Sequence, residues 1–194
     1  MDHLRLYAQG WLLELFGQPA AAANAYEGAL RAQPAFLRAR NRLAYTLAAL
    51  ERFAEAEAQF KAVLGADPGN AVAHFNLGFI YDKCGRHAEA IDAFREATRL
   101  NPKIDRAWYG MGLALAHLGQ HGEAAKALRE AATLQPMNPH AWYALGMAYH
   151  SLNQPAKVKE VALHLVRFDP RMTRRLIQEA ERADLAYLVR DLAV

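Results

Sequence analysis

The sequence predicts an all-α protein built from repeated helix hairpins. Three observations lead to this prediction: an alanine-rich composition, five prolines at a constant interval, and a second helix break between successive prolines. Hydrophobic residues make up 53 % of the 194 residues, and Ala, which supplies much of this fraction, has the highest intrinsic helix propensity. High apolar content together with a net charge of only +3 argues against a disordered chain.

The prolines define the repeat length. Pro34, Pro68, Pro102, Pro136 and Pro170 follow one another at intervals of 34 residues, a period typical of stacked helical units. We therefore place each of these prolines at position 32 of a 34-residue unit. The predicted units are residues 3–36, 37–70, 71–104, 105–138 and 139–172.

Each unit contains two helix-length segments and two breaks. The proline forms one break, because proline cannot continue a helix interior. Gly85 and Gly119 mark the other break, where a glycine in the left-handed conformation can end a helix. Asn70, Asp105 and Asn138 are suited to N-cap the helices that follow them. The remaining prolines fit the first position of a helix: Pro19, Pro139 and Pro155.

The packing positions repeat as well. A small residue occupies position 8 of every unit, which lets two helix backbones approach closely; the set is Gly10, Ala44, Gly78, Gly112 and Gly146. One hairpin cannot bury its own apolar face, so neighbouring units must stack. This pattern resembles the tetratricopeptide repeat family, whose Trp, Leu-Gly, Tyr, Ala, Phe, Ala and Pro motif is best matched by Val72–Pro102.

The resemblance extends from Leu4 to about Pro170 and implies a right-handed superhelical solenoid of five repeats. Several residues depart from the family pattern, among them Val158, Ala162 and Leu165, which reverse the usual order of small and large residues in the fifth unit. Gln9 stands where Leu is usual, and Arg40 and His74 replace the aromatic residue at position 4.

The tail, residues 173–194, is expected to form a C-terminal capping helix with a bend near Asp184. Leu176, Ala180, Ala183 and Tyr187 would form its buried stripe. The alternative is a tail helix that binds a partner.

The sequence contains no motif for catalysis. A phosphate loop, a dinucleotide fingerprint and a nucleophile elbow are all missing, so we expect no enzyme activity and no cofactor. The eight histidines do not cluster, although His117 and His150 could approach each other, and the single cysteine, Cys84, is interpreted as structural. The weak net charge argues against nucleic-acid binding. The lack of a long apolar stretch and of a signal-peptide pattern predicts a cytoplasmic protein without membrane spans.

The resemblance implies a concave groove lined by the first helix of each unit. Large aromatic residues recur along this face, with arginines and asparagines among them, although some rings could instead pack between units. Arginine matches carboxylates, and asparagine can hold a peptide backbone. We therefore expect an adaptor or scaffold that binds an apolar protein or peptide partner with acidic or carboxylate groups. The predicted groove residues are Arg38, Asn41, Arg42, Tyr45, Phe75, Asn76, Phe79, Arg106, Tyr109, Leu113, His140, Tyr143 and Met147.

Two further hypotheses concern partners. The groove matches only Asn76 and Arg106 of the five-residue clamp with which some family members grip chaperone C-termini, so chaperone binding is not predicted. Self-assembly is the alternative function, because the first unit has no preceding cap. A homodimer could form through its apolar residues Trp11, Leu12, Leu15 and Phe16.

Overall fold

The computed structural model describes residues 1–190, and every regular element among them is helical, which confirms the all-α prediction. Eleven α-helices are followed by one 3-10 helix within these residues. The α-helices are α1 (Asp2–Leu15), α2 (Pro19–Ala32), α3 (Leu37–Ala49), α4 (Phe53–Ala66), α5 (Ala71–Lys83), α6 (His87–Leu100), α7 (Asp105–His117), α8 (His121–Leu134), α9 (Pro139–Ser151), α10 (Pro155–Leu165) and α11 (Pro170–Glu179). The 3-10 helix spans Ala183–Val189.

The chain forms two compact units. The N-terminal unit, Met1–Gly85, contains α1 to α5, and each of these helices packs against the next one along the chain. The C-terminal unit begins at Arg86 and contains α6 to α11 with the 3-10 helix. In this unit, α11 packs against α9, α10 and the 3-10 helix.

The turns inside the hairpins use the left-handed conformation. Gly17, Gly85 and Gly119 have φ values of 69°, 72° and 72°, so the prediction for Gly85 and Gly119 is confirmed. Glu51 and Asn153 occupy the same position of their 34-residue repeats, with φ values of 58° and 52°. A residue with a Cβ atom is strained in this region, and Asn tolerates it better than Glu does.

The helix starts agree with the sequence except at one residue. Asn70 caps α5 by accepting from the Ala73 amide at 3.0 Å, and Asn138 caps α9 by accepting from the His140 amide at 3.0 Å. Asp105 was expected to cap α7, but it is the first residue of that helix and Ile104 precedes it as the cap. The prolines expected at helix starts are at the starts of α2, α9 and α10.

Small residues at position 8 allow large side chains to cross the helix. A Cβ atom on Gly10 would lie 2.6 Å from the Tyr26 ring, and one on Gly112 would lie 2.5 Å from Leu128. Both separations are far below van der Waals contact, so these glycines set the distance between the paired helices.

The side chain at position 4 contacts the carbonyl of the proline six residues before it. This contact explains why Arg40 and His74 can replace the family's aromatic residue, since each carries an N–H donor. The four pairs are Arg40 to Pro34 at 2.9 Å, His74 to Pro68 at 3.1 Å, Trp108 to Pro102 at 2.9 Å and Trp142 to Pro136 at 2.9 Å.

The tail differs from the single bent helix that we expected. α11 begins at Pro170 rather than after residue 172, because Asp169 caps it by accepting from the Met172 amide at 2.8 Å. The chain then breaks at Glu181, whose φ is 53°, rather than at Asp184. Leu176 and Ala180 are buried as expected, but Ala183 and Tyr187 are exposed, and Leu185 and Val189 are buried instead. The last residues of the predicted tail, 191–194, lie outside the described residues.

Candidate functional site

Helices α1, α3 and α5 of the N-terminal unit border two adjoining hollows of about 330 and 560 Å³. Tyr45 and Asn76 line both hollows, so the two form one continuous depression, which we call the N-terminal groove. Tyr7, Arg38, Asn41, Arg42 and Val72 complete the first hollow, and Glu51, Phe53, Phe79 and Lys83 contribute to the second.

Two aromatic rings in the N-terminal groove are open to solvent. Tyr45 is 60 % exposed and Phe79 is 42 % exposed. Phe75, which was also expected in the groove, is half-buried and lines neither hollow. Exposed rings that line a depression are a common mark of an interaction surface.

The two predicted cations of the first hollow differ in their surroundings. The Arg42 guanidinium lies 3.2 Å from the Glu14 carboxylate, and both side chains are partly buried. Arg38 is exposed, and within residues 1–190 no carboxylate pairs with it. Arg38 can therefore meet a charge on a ligand, whereas the charge of Arg42 is already balanced within the protein.

Glu14 joins three helices of the N-terminal unit. Its carboxylate accepts hydrogen bonds from the Tyr26 hydroxyl at 3.0 Å and from the Thr46 hydroxyl at 2.5 Å, in addition to the ion pair with Arg42. Burial and the hydrogen bond to Glu14 raise the pKa of Tyr26 well above its ordinary value. Burial is the largest single influence on the pKa of Arg42 and acts to lower it, but the Glu14 carboxylate, a hydrogen bond to Tyr7 and the nearby Tyr26 together raise the pKa of that guanidinium.

The groove amides offer hydrogen-bonding groups to a ligand. Asn41 uses its amide nitrogen to donate to the Leu37 carbonyl at 3.2 Å, which leaves its side-chain oxygen as an acceptor. Asn76 makes no side-chain hydrogen bond within the described part of the chain. An amide with a free donor and acceptor can pair with the backbone of an extended peptide.

The C-terminal unit carries the other predicted groove residues on α7 and α9. We call this set the C-terminal stripe: Arg106, Tyr109, Leu113, His140, Tyr143 and Met147. Arg106 and His140 are exposed, and the other four are half-buried. Tyr109 packs with Trp108 and Trp142 against a core of alanines from α8 and α9, and burial raises its pKa. This ring therefore contributes more to packing between helices than to an open surface.

Tyr143 is engaged by α11. Its hydroxyl donates to the Glu179 carboxylate, and the Arg175 guanidinium lies 4.8 Å from the centre of its ring. Burial and the bond to Glu179 raise the pKa of Tyr143, and the hydrogen bond from Arg175 lowers the pKa of Glu179. A ligand at this end of the stripe would meet the Arg175–Glu179 pair as well as the ring.

The family assignment follows from the sequence. A family model described as tetratricopeptide repeat matches residues 7–71, 75–139 and 118–157, which together are most of the chain. The chain belongs to the tetratricopeptide repeat (TPR) family. No curated protein matches the sequence.

Solved structures of TPR proteins share the fold. The MamA protein has a TM-score of 0.78 and 21 % identity, and the match covers 100 % of this chain and 97 % of MamA. YrrB, described as a TPR protein with an unusual peptide-binding site, has a TM-score of 0.79 and 22 % identity over 93 % of this chain and 92 % of YrrB. TTC0263 from Thermus thermophilus has a TM-score of 0.60 and 22 % identity over 94 % of this chain and 99 % of that protein. At these identities the likeness establishes the fold alone.

Membership of the TPR family supports a role as a protein-interaction scaffold. Within residues 1–190 no group of three or more metal-ligating side chains exists, and the His117 ring stacks on the His87 ring with 4.7 Å between their centres. None of the helices in residues 1–190 combines the length and the hydrophobicity that a membrane span requires.

The TPR sequence pattern alone does not identify two residues that shape the N-terminal groove, Glu14 and Lys83. Glu14 interrupts an apolar run in the sequence, and only the folded helices bring it to Arg42. Lys83, the last residue of α5, lies off the predicted groove positions, yet its ammonium is 5.5 Å from the Phe79 ring and it lines the second hollow. A basic residue in the last turn of a first helix was the only signal available for Lys83.

Proposed function

We propose that this TPR protein is a non-catalytic adaptor that holds a peptide segment of a partner protein in the N-terminal groove. The observation that carries this proposal is the exposure of Tyr45 and Phe79 along one continuous depression. A solvated helix face would carry charged or amide side chains there, because large exposed rings cost free energy unless a partner covers them. The description of YrrB as a protein with a peptide-binding site supports peptide binding as a use of this fold.

The lining of the groove favours an apolar segment that carries acidic or carboxylate groups. Tyr45 and Phe79 offer apolar surface, and Asn76 offers a free amide for the peptide backbone. Arg38 belongs to the first hollow and Lys83 to the second, so each hollow presents one cation. Within the described residues neither cation has a carboxylate partner, so an acidic group of the ligand could pair with either.

The C-terminal stripe is proposed as a second contact surface of the same adaptor. Arg106 and His140 are its exposed polar residues, and Leu113 and Met147 supply partly exposed apolar surface. Tyr109 and Tyr143 are expected to contribute less, since one packs against alanines and the other is held by α11.

The test begins with peptides selected from a random display library on the immobilised protein, because the natural partner is unidentified. We expect enrichment of peptides that combine apolar and acidic residues. Affinity of a selected peptide is then measured by fluorescence anisotropy against wild type, Arg38→Glu and Tyr45→Ala. Each change is expected to weaken binding at least tenfold, and Arg38→Glu is also expected to reduce the salt dependence of Kd.

A matched control is Tyr187→Ala, since Tyr187 is 54 % exposed and lies in the 3-10 helix of the C-terminal unit, outside the proposed sites. Its affinity should equal that of wild type. Arg42→Glu is unsuitable as a test, because it would place a second carboxylate beside Glu14 and damage the fold. Wild-type affinity in both Arg38→Glu and Tyr45→Ala would contradict the assignment of the groove.

A further inference from the structure

Two cations converge on Tyr149 of α9 in the C-terminal unit. The Arg129 guanidinium of α8 donates a hydrogen bond to the Tyr149 hydroxyl oxygen, and its central carbon lies 5.9 Å from the centre of the ring. The Lys157 ammonium of α10 lies 5.1 Å from the centre of the same ring. Tyr149 is 5 % exposed, whereas the two cations are exposed to solvent. The packed helices α8, α9 and α10 thus bring two positive charges to one buried side chain.

These three side chains retain hydrogen-bond donors that the protein does not use. Within residues 1–190 neither Arg129 nor Lys157 forms an ion pair with a carboxylate. Glu130 and Glu160 are the acids that act on Arg129, and each contributes less to its raised pKa than the hydrogen bond to Tyr149 does. The Tyr149 oxygen accepts from Arg129, but no group in the described part of the chain accepts the hydrogen of its hydroxyl. Buried hydroxyls normally have such a partner, so this set of side chains is incomplete.

The N-terminal unit contains the same set together with its partner. The Tyr81 hydroxyl donates to the Glu57 carboxylate at 3.3 Å, and the Lys61 ammonium lies 2.7 Å from the same oxygen. The hydroxyls of Tyr26 and Tyr143 also donate to carboxylates that are paired with an arginine. In each of these sets one anion is contacted by both a tyrosine hydroxyl and a cation.

The sequence repeat shows which member of the set is replaced beside Tyr149. Two 34-residue repeats after Glu57, Lys61 and Tyr81 come Ala125, Arg129 and Tyr149. The tyrosine and the cation are retained, but alanine replaces the glutamate. Ala125 lies one turn before Arg129 on α8, and residues four apart share a helix face. The cation and the O–H donor are therefore present at this point of the fold, and position 125 supplies no carboxylate for them.

We infer that Arg129, Tyr149 and Lys157 form a binding site for a phosphate group. The anion would occupy the place that the Glu57 carboxylate takes in the N-terminal unit, and it would accept hydrogen bonds from all three side chains. Lys157 adds a second cation, so the site balances a doubly charged phosphate better than a singly charged carboxylate. None of the three residues belongs to the N-terminal groove or to the C-terminal stripe, so the inference is independent of the proposed adaptor function.

Titration with sodium phosphate at about pH 8, where the dianion predominates, tests the inference. Ionic strength is held constant with sodium chloride, and binding is followed by the backbone amide chemical shifts of isotope-labelled protein. We expect saturable shifts in α8, α9 and α10 with a Kd in the millimolar range. Sodium acetate should bind at least fivefold more weakly, because it carries a single charge.

A second probe distinguishes the two sources of a phosphate group. N-acetyl-phosphoserine amide is titrated under the same conditions as inorganic phosphate. A lower Kd for the phosphoserine compound assigns the site to phosphate esters, and a higher Kd assigns it to the free ion.

Three variants test the contacts. Tyr149→Phe removes the hydroxyl and keeps the ring, and Lys157→Gln removes one charge, so each should raise the Kd for phosphate at least fivefold. Ala125→Glu restores the carboxylate at the position that corresponds to Glu57 and should abolish phosphate binding. Phosphate should raise the Tm of wild type but not that of Ala125→Glu, because a ligand stabilises only a protein that binds it.

The matched control is Lys103→Gln, because Lys103 is exposed, lies between α6 and α7 and forms no ion pair within residues 1–190. It removes the same charge and should bind phosphate as wild type does. Circular dichroism identifies the folded variants, and Tyr149→Phe and Lys157→Gln decide the test if Ala125→Glu does not fold.

Four results would overturn the inference. They are a wild-type protein without saturable phosphate binding, wild-type affinity in both Tyr149→Phe and Lys157→Gln, a folded Ala125→Glu protein that still binds phosphate, and acetate binding as tight as that of phosphate.

Discussion

At the scale of single residues, the polar partners of the aromatic side chains determine how firmly each helix is held. Tyr26 is the clearest case, because its ring packs against Gly10 and its hydroxyl donates to Glu14. One side chain thus fixes the spacing of α1 and α2 and also orients the carboxylate that neutralises Arg42.

Tyr26 should make stability sensitive to alkaline pH. Its pKa is raised in the folded protein, so the folded state binds this proton more tightly than the unfolded state does. The resulting stability is fully present below the unfolded pKa of about 10 and is lost as pH rises through the folded pKa. We expect Tyr26→Phe to cost about 1.5 kcal/mol at pH 7.5 and less at pH 10.5, measured by urea unfolding.

The difference between the two proteins isolates Tyr26, since the other tyrosines with raised pKa values, Tyr81, Tyr109 and Tyr143, remain in both. An equal loss at the two pH values would mean that the Tyr26 hydroxyl is not held in the bond to Glu14.

The donor at position 4 allows a second test at this scale. His74→Phe keeps a ring but removes the group that contacts the Pro68 carbonyl, so the unfolding free energy should fall by about 0.5–1.5 kcal/mol. His74→Trp restores an N–H donor and should retain the wild-type value, because Trp108 and Trp142 make the equivalent bond. Urea unfolding followed by circular dichroism compares the variants, and a His74→Phe protein as stable as His74→Trp would show that the carbonyl bond contributes nothing.

At the scale of the helices, the hairpin turns show how far a repeat pattern constrains the backbone. The residue at position 15 has a left-handed backbone conformation in each of the five 34-residue repeats. This residue is Gly in three repeats, Glu in one and Asn in one. The turns at Gly85 and Gly119 could be predicted from the sequence because glycine readily takes the left-handed conformation that ends a helix. The turns at Glu51 and Asn153 follow only from the repeat, because neither residue by itself would indicate a positive φ.

Glu51→Gly should therefore stabilise the protein. It relieves the strain of a side chain at φ 58° and costs only the greater freedom of glycine in the unfolded chain, for a net gain of about 0.5 kcal/mol. Gly119→Ala is the reciprocal change, and no atom lies within 4 Å of the added Cβ, so its cost of about 1 kcal/mol would come from backbone conformation alone. Both values can be measured by urea unfolding, and a destabilised Glu51→Gly protein would contradict this explanation.

At the scale of the whole molecule, the fold was more predictable than the site. Close packing recurs in each unit, so Gly10, Gly112 and the regularly spaced prolines reveal the helix pairs without any knowledge of their partners. The tail was predicted less well, because Asp169 starts α11 early and a 3-10 helix changes which residues are buried.

The site depends on contacts that one helix makes with another outside the repeat pattern. Arg42 was predicted as a ligand-binding cation, but Glu14, 28 residues earlier, balances its charge. Tyr143 was predicted as an open ring, but Glu179 and Arg175 of α11 hold it. Neither partner occupies a position that the 34-residue period would indicate, so the sequence could not predict which charges remain available on the proposed groove.

The shared lining of the two hollows has a thermodynamic consequence. Tyr45 borders both, whereas Arg38 borders only the first and Lys83 only the second. For a peptide long enough to fill both hollows, the losses of binding free energy caused by mutating Arg38 and by mutating Lys83 should add. Mutation of Tyr45 should be non-additive with mutation of either cation, because its ring contacts the peptide in both hollows. This one ring would therefore couple two binding sites that are otherwise independent.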